Sequence, residues 1–386
     1  MAEGDRRRRV GRGWHRAIAG ALAVLLPALG AAWAAEPAPE PLIIGVAAPL
    51  TGDSSAEGPE LRSGAMLAAA GLDTSRLLGR RVQVVTVDDA CEAPGAEAAA
   101  RELVARHAVL VIGHVCSDAT LAAAPIYAAA GILQITPAST NPAITEQGIA
   151  TLFRTIGRDD RQGEAAAAMI AARWPAARLV ILDDGSAYGA GLADALAAAL
   201  TARHFPIALR RVYDRHGADF QAAAEAVKAA HADLVYLSGD ELNVGILAST
   251  CRAAGVMAQF IGGDSMINPR FRMAASEAAE GAIFSFPPDL ARLPEAAPAL
   301  ARFTAAGIEP DGYALLAYAA VQAWAQAVAT AGTTDAAAVA RRLRERAFDT
   351  AIGPVRFDAK GDIEGRPADF VWYHWLHGSA QALGEN

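Results

Sequence analysis

A short run of reactive residue types lies between an apolar stretch and an alanine-rich stretch. It reads HVCSDAT and sets Cys116, Ser117 and Asp118 side by side in a chain that has only three cysteines. The preceding VLVIG has the character of a buried strand, and the residues up to Gly131 have that of a helix. A cysteine nucleophile, a metal ligand, a disulfide partner and an anion-binding turn are all compatible with this position.

Polar turns follow the other apolar stretches as well, and in open α/β sheets ligands bind beyond the carboxyl ends of the strands. Ser117 and Thr140 follow two of these stretches, and each is predicted to cap a helix start. Two such helix starts facing one cleft would bind a carboxylate or a phosphate. Alone, either residue is an ordinary cap, and Asp118 is ordinary in a first helical turn. Asp264 ends another strand candidate and could pair with an ammonium group or form an Asx turn.

Motifs for catalysis and metal binding are weak. The glycines at 189 and 191 lack the third glycine of a dinucleotide-binding turn, and the sequence contains no GxSxG motif. His374 and His377 have HxxH spacing, but residues three apart on a strand face opposite sides. The sequence therefore predicts a protein that is not an enzyme, with no catalytic residue, no metal site and no cofactor.

Charge and the N-terminus restrict the partners and the compartment. The formal net charge is −8, which argues against nucleic acid as a partner. Residues 1–34 combine an arginine-rich start, an apolar run from Ala17 to Trp33 and a small-residue cleavage pattern, and so predict a signal peptide. A retained signal anchor is an alternative, and the export route could be general secretion or twin-arginine. We expect the mature protein in the periplasm.

An oxidising compartment changes the interpretation of the cysteines. Cys91 and Cys116 each follow a strand candidate, and neighbouring strand ends can bring two Cα atoms within bridging distance. We expect a disulfide between them, which would contribute about 3–4 kcal/mol to stability. Cys251 lies in an apolar helix candidate and is expected to be a buried thiol.

Strand candidates alternate with alanine-rich helices, which predicts a doubly wound α/β architecture. Their continuous apolar character fits parallel strands covered on both faces. There are too many strands for one open sheet, so we expect two lobes, with crossings near residues 156–163, near AIFSFPPDL and near AIGPVRFDAKGD. The strand candidates are LIIGVAAPL, VQVVTVDD, VLVIGH, ILQITPA, ARLVILDD, ADLVYLSG, QFIGGDS and AIFSFPP.

The segments DDAC, GHVCS, ITPAST, SAYGAG and GPVRFDAKGD, in this order, closely resemble periplasmic leucine/isoleucine/valine-binding proteins. These are type I solute-binding proteins of ABC importers. The resemblance implies two Rossmann-like lobes joined by a three-segment hinge and closing on a small ligand. Lobe 1 would comprise residues 41–157 and 286–354, and lobe 2 residues 158–285 and 355–386. It also implies delivery to a permease and ATPase complex, and we expect a monomer.

The resemblance also implies which residues bind the ligand. A serine for the ligand carboxylate matches Ser117, with Val115 and Cys116 beside it. A tyrosine on the second lobe matches Tyr188. Backbone groups and a threonine hydroxyl are matched by Ala138, Ser139 and Thr140.

Three further positions bear on specificity. The acid for the ligand ammonium is usually a glutamate, and Asp264 takes that place here. Two aromatic walls of the family's aliphatic pocket are replaced by Glu57 and Asp240, whereas a third stays aromatic as Tyr313. An unpaired carboxylate buried against a leucine side chain is costly. We therefore expect an amino-acid-like ligand that is polar or cationic, or a small amine or amide.

Alternatives remain at this point. Glu57 and Asp240 could point into solvent, or the alignment of their loops could slip by a residue. The protein could instead be a ligand-sensing module for a membrane receptor, or an enzyme built on the same architecture.

Overall fold

The structure, a computed structural model, describes residues 39–364 and 369–384. The predicted signal peptide, residues 1–34, lies outside the described part of the chain. The helices are α1 Gly58–Ala70, α2 Ala93–Ala105, α3 Ser117–Ala129, α4 Ala143–Glu146, α5 Asp159–Arg173, α6 Ala187–Ala202, α7 Phe220–Ala229, α8 Glu241–Ala253, α9 Pro269–Ala275, α10 Ala297–Ala306, α11 Ala314–Ala331 and α12 Ala336–Glu345. The strands are β1 Leu42–Ala48, β2 Val82–Asp88, β3 Ala108–Gly113, β4 Leu133–Thr136, β5 Leu152–Arg154, β6 Leu179–Asp183, β7 Ile207–Val212, β8 Leu234–Ser238, β9 Gln259–Gly262, β10 Ile283–Phe286, β11 Phe348–Thr350, β12 Gly353–Phe357, β13 Ile363–Glu364, β14 Val371–Leu376 and β15 Ser379–Ala382.

The first sheet has five parallel strands in the order β2-β1-β3-β4-β5. Ile44 in β1 pairs with Val84 on one side and Leu110 on the other. β3 and β4 are almost wholly buried, because helices cover both faces of the sheet. The order reverses around β1 and β3, so the carboxyl ends of these strands border a crevice in which ligands bind in open α/β sheets.

The second sheet has seven strands in the order β15-β14-β10-β9-β8-β6-β7. The strands from β10 to β7 run parallel, and β14 runs antiparallel to both β10 and β15. The chain passes between the two large sheets after β5, after β10 and before β14, which gives the three crossings expected of two doubly wound α/β layers. The predicted α/β fold class with two doubly wound lobes is confirmed.

A small antiparallel sheet, β11-β12-β13, lies between the last two crossings. Its buried apolar side chains belong to the same hydrophobic cluster as Ile44 in the first sheet, namely Phe348, Val355, Phe357 and Ile363. The lobe boundaries remain a prediction, in which residues from 355 onward belong to lobe 2. Because residues 355–364 pack with the first sheet, we propose that the last crossing follows Glu364 rather than residue 354.

Helix α11 begins beside the crevice, directly after Tyr313. It is long and apolar enough to cross a membrane by length and composition, but 72% of that stretch is buried inside the fold, as expected of a core helix. A Cβ added at Gly64 of α1 would lie 2.1 Å from the Ala314 carbonyl oxygen, so glycine allows the two helices to approach closely. The Glu60 carboxylate accepts a hydrogen bond from the Tyr313 backbone N–H at 3.0 Å. These contacts fix Tyr313 at the start of α11.

Candidate functional site

The strand ends of both large sheets enclose one cleft with an empty volume of about 550 Å³, part of which is open to solvent. Ten of the eleven predicted ligand-binding residues line it, and Ser139 does not. The cleft is thus assembled from residues that are distant in sequence but share the carboxyl edges of the sheets. The ten are Glu57, Val115, Cys116, Ser117, Ala138, Thr140, Tyr188, Asp240, Asp264 and Tyr313.

Ser117 is the first residue of α3 rather than its cap. The N-cap is Cys116, and no side chain forms a capping hydrogen bond there. The prediction that Ser117 caps this helix is therefore wrong, because the chain enters the helix one residue earlier. The Ser117 hydroxyl accepts a hydrogen bond from the Asn141 backbone N–H at 3.3 Å. Since the first N–H groups of a helix have no partner within it, this end of the cleft offers donors to an anion.

Thr140 does not cap a helix either. The short helix α4 has Pro142 at its N-cap, and the Asn141 side-chain oxygen accepts a hydrogen bond from the Ala143 N–H at 2.7 Å. Thr140 Oγ1 is buried and has no hydrogen-bond partner among the described residues. It lies near the Asp159 carboxylate without regular hydrogen-bond geometry. An unpartnered hydroxyl is therefore available at the edge of the cleft.

Ser139 lies behind the cleft and joins two turns. Its hydroxyl is 2.8 Å from the Val115 carbonyl oxygen, 3.0 Å from that of His114 and 2.7 Å from Thr120 Oγ1. These contacts hold the turn after β4 against the turn after β3. The Ser139 side chain therefore positions the turn that carries Ala138 and Thr140.

The predicted disulfide between Cys91 and Cys116 is present, with Cα atoms 5.4 Å apart. Both cysteines line the cleft, so the bond ties the turn after β2 to the start of α3. Cys251 is a free, buried cysteine in α8, as predicted. Burial raises the pKa of its thiol to about 12, so it stays protonated.

Asp264 faces these groups from the second sheet. It begins a short 3₁₀ helix after β9 and is 2% exposed. Its carboxylate accepts hydrogen bonds from the Tyr188 hydroxyl at 2.8 Å, the Tyr313 hydroxyl at 2.9 Å and Gln162 Nε2 at 3.2 Å. Burial raises the pKa of Asp264, although these three donors act in the opposite direction. A carboxylate has about four lone-pair sites, so capacity remains for one further donor.

The two acidic departures from an aliphatic pocket both line the cleft. Glu57 is 5% exposed, and no donor of the described residues hydrogen-bonds its carboxylate. Burial first, and then nearby acids led by Glu241, raise its pKa well above the usual value. Asp240 caps α8 instead: its carboxylate accepts from Asn243 N at 2.9 Å and from Asn243 Nδ2 at 2.6 Å. Glu57 is thus buried, whereas Asp240 is half-buried.

Sequence reasoning missed several residues of the cleft. Among the described residues, six carboxylates line it, against the single guanidinium of Arg215. Glu241 is the most informative omission, because it is 1% exposed and its Oε1 has no hydrogen-bond partner. Its position in SGDELN, directly after a strand candidate, is the sequence signal that could have identified Glu241 as a cleft residue. The other residues not predicted to bind ligand are Ser54, Cys91, Asp118, Asp184, Ser186, Arg215 and Ser265.

Hydrogen bonds cross the cleft between elements of the two large sheets. Asp118 Oδ2 accepts from the Ala187 N–H at 2.9 Å, and Asn141 Nδ2 donates to the Ala187 carbonyl oxygen at 2.5 Å. At the other end, Arg270 donates to the Asp53 carbonyl oxygen and to Ser55 Oγ. Asp118 therefore acts at the start of α6 as well as in the first turn of α3. These bonds hold the cleft in a closed form.

Comparison with known proteins agrees with this architecture. Residues 41–372 match the family described as periplasmic binding protein. An amino acid binding protein of Pseudomonas aeruginosa is 35% identical over 86% of this chain and 90% of its own length. A leucine-, isoleucine-, valine-, threonine- and alanine-binding protein of the same organism is 33% identical over 86% of this chain and 89% of its own. The structure of a leucine binding protein, LivK, from Thermotoga maritima has a TM-score of 0.82 and 27% identity, covering 89% of this chain and 98% of that one.

These relatives are binding proteins and not enzymes, and the resemblance to leucine/isoleucine/valine-binding proteins is confirmed. The match extends over nearly all of the described chain, from β1 into β14. The chain therefore belongs to the periplasmic binding protein family.

Proposed function

We propose that this protein captures a small amino-acid-like ligand with a cationic or strongly polar side chain in the periplasm. It then delivers that ligand to an ABC importer formed by a permease and an ATPase. Family membership and the relatives named for amino acids support the general role. The bonds that cross the cleft support a hinge motion in which the two lobes close on the ligand.

The groups around the cleft support recognition of an amino-acid head. The Ser117 hydroxyl, the N-terminal turn of α3 and the Thr140 hydroxyl would receive the ligand carboxylate. Asp264, oriented by Tyr188 and Tyr313, would receive the ammonium group from the opposite side. A ligand that carries both charges would thus bridge the two sheets and favour closure.

The buried, unpartnered carboxylate of Glu57 is the observation that carries the preference for a polar or cationic side chain. Next to an aliphatic side chain this group stays without a partner and must either take up a proton or remain an unfavourable buried charge. A guanidinium or ammonium group would pair with it. The binding free energy should therefore favour cationic over aliphatic amino acids.

Calorimetric titration of the purified, ligand-free protein tests this proposal. At least one of the three cationic amino acids L-arginine, L-lysine and L-ornithine should bind tightly. L-Leucine should bind at least tenfold more weakly than that amino acid, since one missing charge pair is worth about 1.4 kcal/mol or more. L-Citrulline, an uncharged analogue of arginine, controls for size and shape. Tight binding of leucine with no response to the three cationic amino acids would refute the proposed preference.

A further inference from the structure

Two acidic side chains of the cleft have carboxylate oxygens without a hydrogen-bond partner among the described residues, and they lie beside different sheets. Glu57 immediately precedes α1, beside the first sheet, and Glu241 opens α8, beside the second. Their exposed fractions are 5% and 1%, and both line the cleft. Closure of the cleft therefore brings together two carboxylates that are far apart in sequence.

The neighbouring Asp240 is not equivalent to Glu241. The Asp240 carboxylate is already engaged at the start of α8 through the backbone and side chain of Asn243. Glu241 Oε1 is buried and has no hydrogen-bond partner among the described residues. Of the two consecutive acids, it is therefore Glu241 that retains an unused acceptor within the cavity.

The surroundings of Glu57 contain further negative charge. The groups that face it are Glu241 and Asp240 at the start of α8, Glu60 on α1 and Asp264 after β9. All four raise its pKa in addition to burial, and the Tyr313 phenol lies beside it at the start of α11. Nothing within this set neutralises the Glu57 carboxylate.

Besides Glu57, the groups near Glu241 include the cation Arg270 of α9 and the acids Asp240 and Glu60, and the backbone N–H of Glu241 itself donates to the carboxylate. Arg270 is engaged elsewhere, since it hydrogen-bonds the Asp53 carbonyl oxygen and Ser55 Oγ. Burial is the main cause that raises the pKa of Glu241 to about 8. We therefore expect Glu241 to hold a proton in the ligand-free protein at neutral pH.

We propose that Glu241 and Glu57 together hold the positively charged end of the ligand side chain, and that the ligand binds with release of a proton from this pair to the solvent. This inference rests on the proposed function, because it needs a cationic ligand. An incoming cation stabilises the ionised carboxylates and so displaces the proton. Affinity should therefore rise with pH, by about tenfold per pH unit where one proton is released, until Glu241 is itself ionised in the ligand-free protein near pH 8.

Calorimetry with the tightest-binding of L-arginine, L-lysine and L-ornithine tests the inference. Titrations at pH 7 in two buffers of different ionisation enthalpy give the number of protons released, and about one is expected for the unaltered protein. Glu241→Gln should abolish most of this release and weaken binding at least tenfold, as expected when one partner of a close charge pair is lost. Glu225→Gln, which removes an exposed acid from α7, is the control with the same change in net charge and should behave like the unaltered protein.

The outcomes separate the two proposals. If none of the three cationic amino acids binds, the proposed ligand preference fails and the acidic pair has no role in binding. If a cationic amino acid binds tightly without proton release, and Glu241→Gln binds it as Glu225→Gln does, the inference fails while the proposed function stands. If a cationic amino acid binds with proton release in the unaltered protein and in Glu225→Gln, but releases far less in Glu241→Gln, both proposals are supported.

Discussion

Replacement of Glu241 by glutamine should stabilise the ligand-free protein at neutral pH. The substitution keeps the size of the side chain and removes a carboxylate that is 1% exposed and lacks a partner for Oε1. An amide needs no proton to stay neutral, so the folded state no longer has to hold one. A substitution that weakens ligand binding is thus expected to strengthen folding.

The sign and size of this effect follow from the pKa of Glu241, which burial raises from 4.5 to about 8. Between these values the folded protein holds a proton that the unfolded chain has lost, so the free energy of unfolding falls as pH rises. One pKa unit corresponds to about 1.4 kcal/mol, so the contribution is on the order of 3 kcal/mol at pH 7 and disappears near pH 4.5.

Urea unfolding of the ligand-free protein at several pH values between 4.5 and 8 measures this effect. The difference in free energy of unfolding between Glu241→Gln and the unaltered protein should grow with pH, whereas Glu225→Gln should stay within about 0.5 kcal/mol throughout, as is usual for surface positions. A difference that is independent of pH, or a variant that is less stable at pH 7, would refute the electrostatic reasoning about this cleft.

Three further predictions concern the framework of the cleft and the head of the ligand. Replacing Cys91 and Cys116 together by serine should lower the free energy of unfolding by about 3–4 kcal/mol, as measured by denaturant unfolding. An unchanged midpoint of denaturant unfolding would show that the disulfide does not stabilise the fold. Ser117→Ala should weaken binding of a cationic amino acid about tenfold or more in calorimetry, since it removes a hydrogen bond to a charged group, and unchanged affinity would contradict this role. The Arg154 guanidinium is fully buried and lies 2.6 Å from the Asp362 carboxylate. Asp362→Ala leaves this guanidinium as an unpaired charge and should destabilise the protein by about 3–5 kcal/mol. A loss below about 0.5 kcal/mol would contradict this.

The central strands could be predicted because local composition determines them. β6 and β8 are buried at every position, so each is a continuous apolar run that needs no alternation pattern to be recognised. β7 was missed because it lies at the sheet edge, alternates between partly buried and exposed positions and carries two arginines. β12 was interpreted as a crossing because its pairing with β11 and β13 depends on partners outside its own segment.

The positions of the polar residues in the cleft were predictable, but their local roles were not. Ser117 and Thr140 were expected as caps, yet capping depends on the backbone of a single residue, and the chain places Cys116 and Pro142 at those points. Sequence alone indicates that a serine follows a strand. It does not indicate at which residue the helical backbone begins.

Glu241 was overlooked for a different physical reason. An acid in the first turn of a helix is common, because it interacts favourably with the helix dipole. Its proximity to Glu57, which lies beside the other sheet, depends on the arrangement of the two sheets. The sequence identified one acid of the pair through its departure from an aromatic position, and the structure was needed to find the other.

A crystal structure of the complex with the amino acid that binds most tightly would test the central claim most directly. We expect the ligand carboxylate within hydrogen-bond distance of the Ser117 and Thr140 hydroxyls, its ammonium group at Asp264, and the charged end of its side chain between Glu57 and Glu241. A ligand whose side chain lies away from both glutamates, or whose carboxylate does not reach Ser117, would contradict the account.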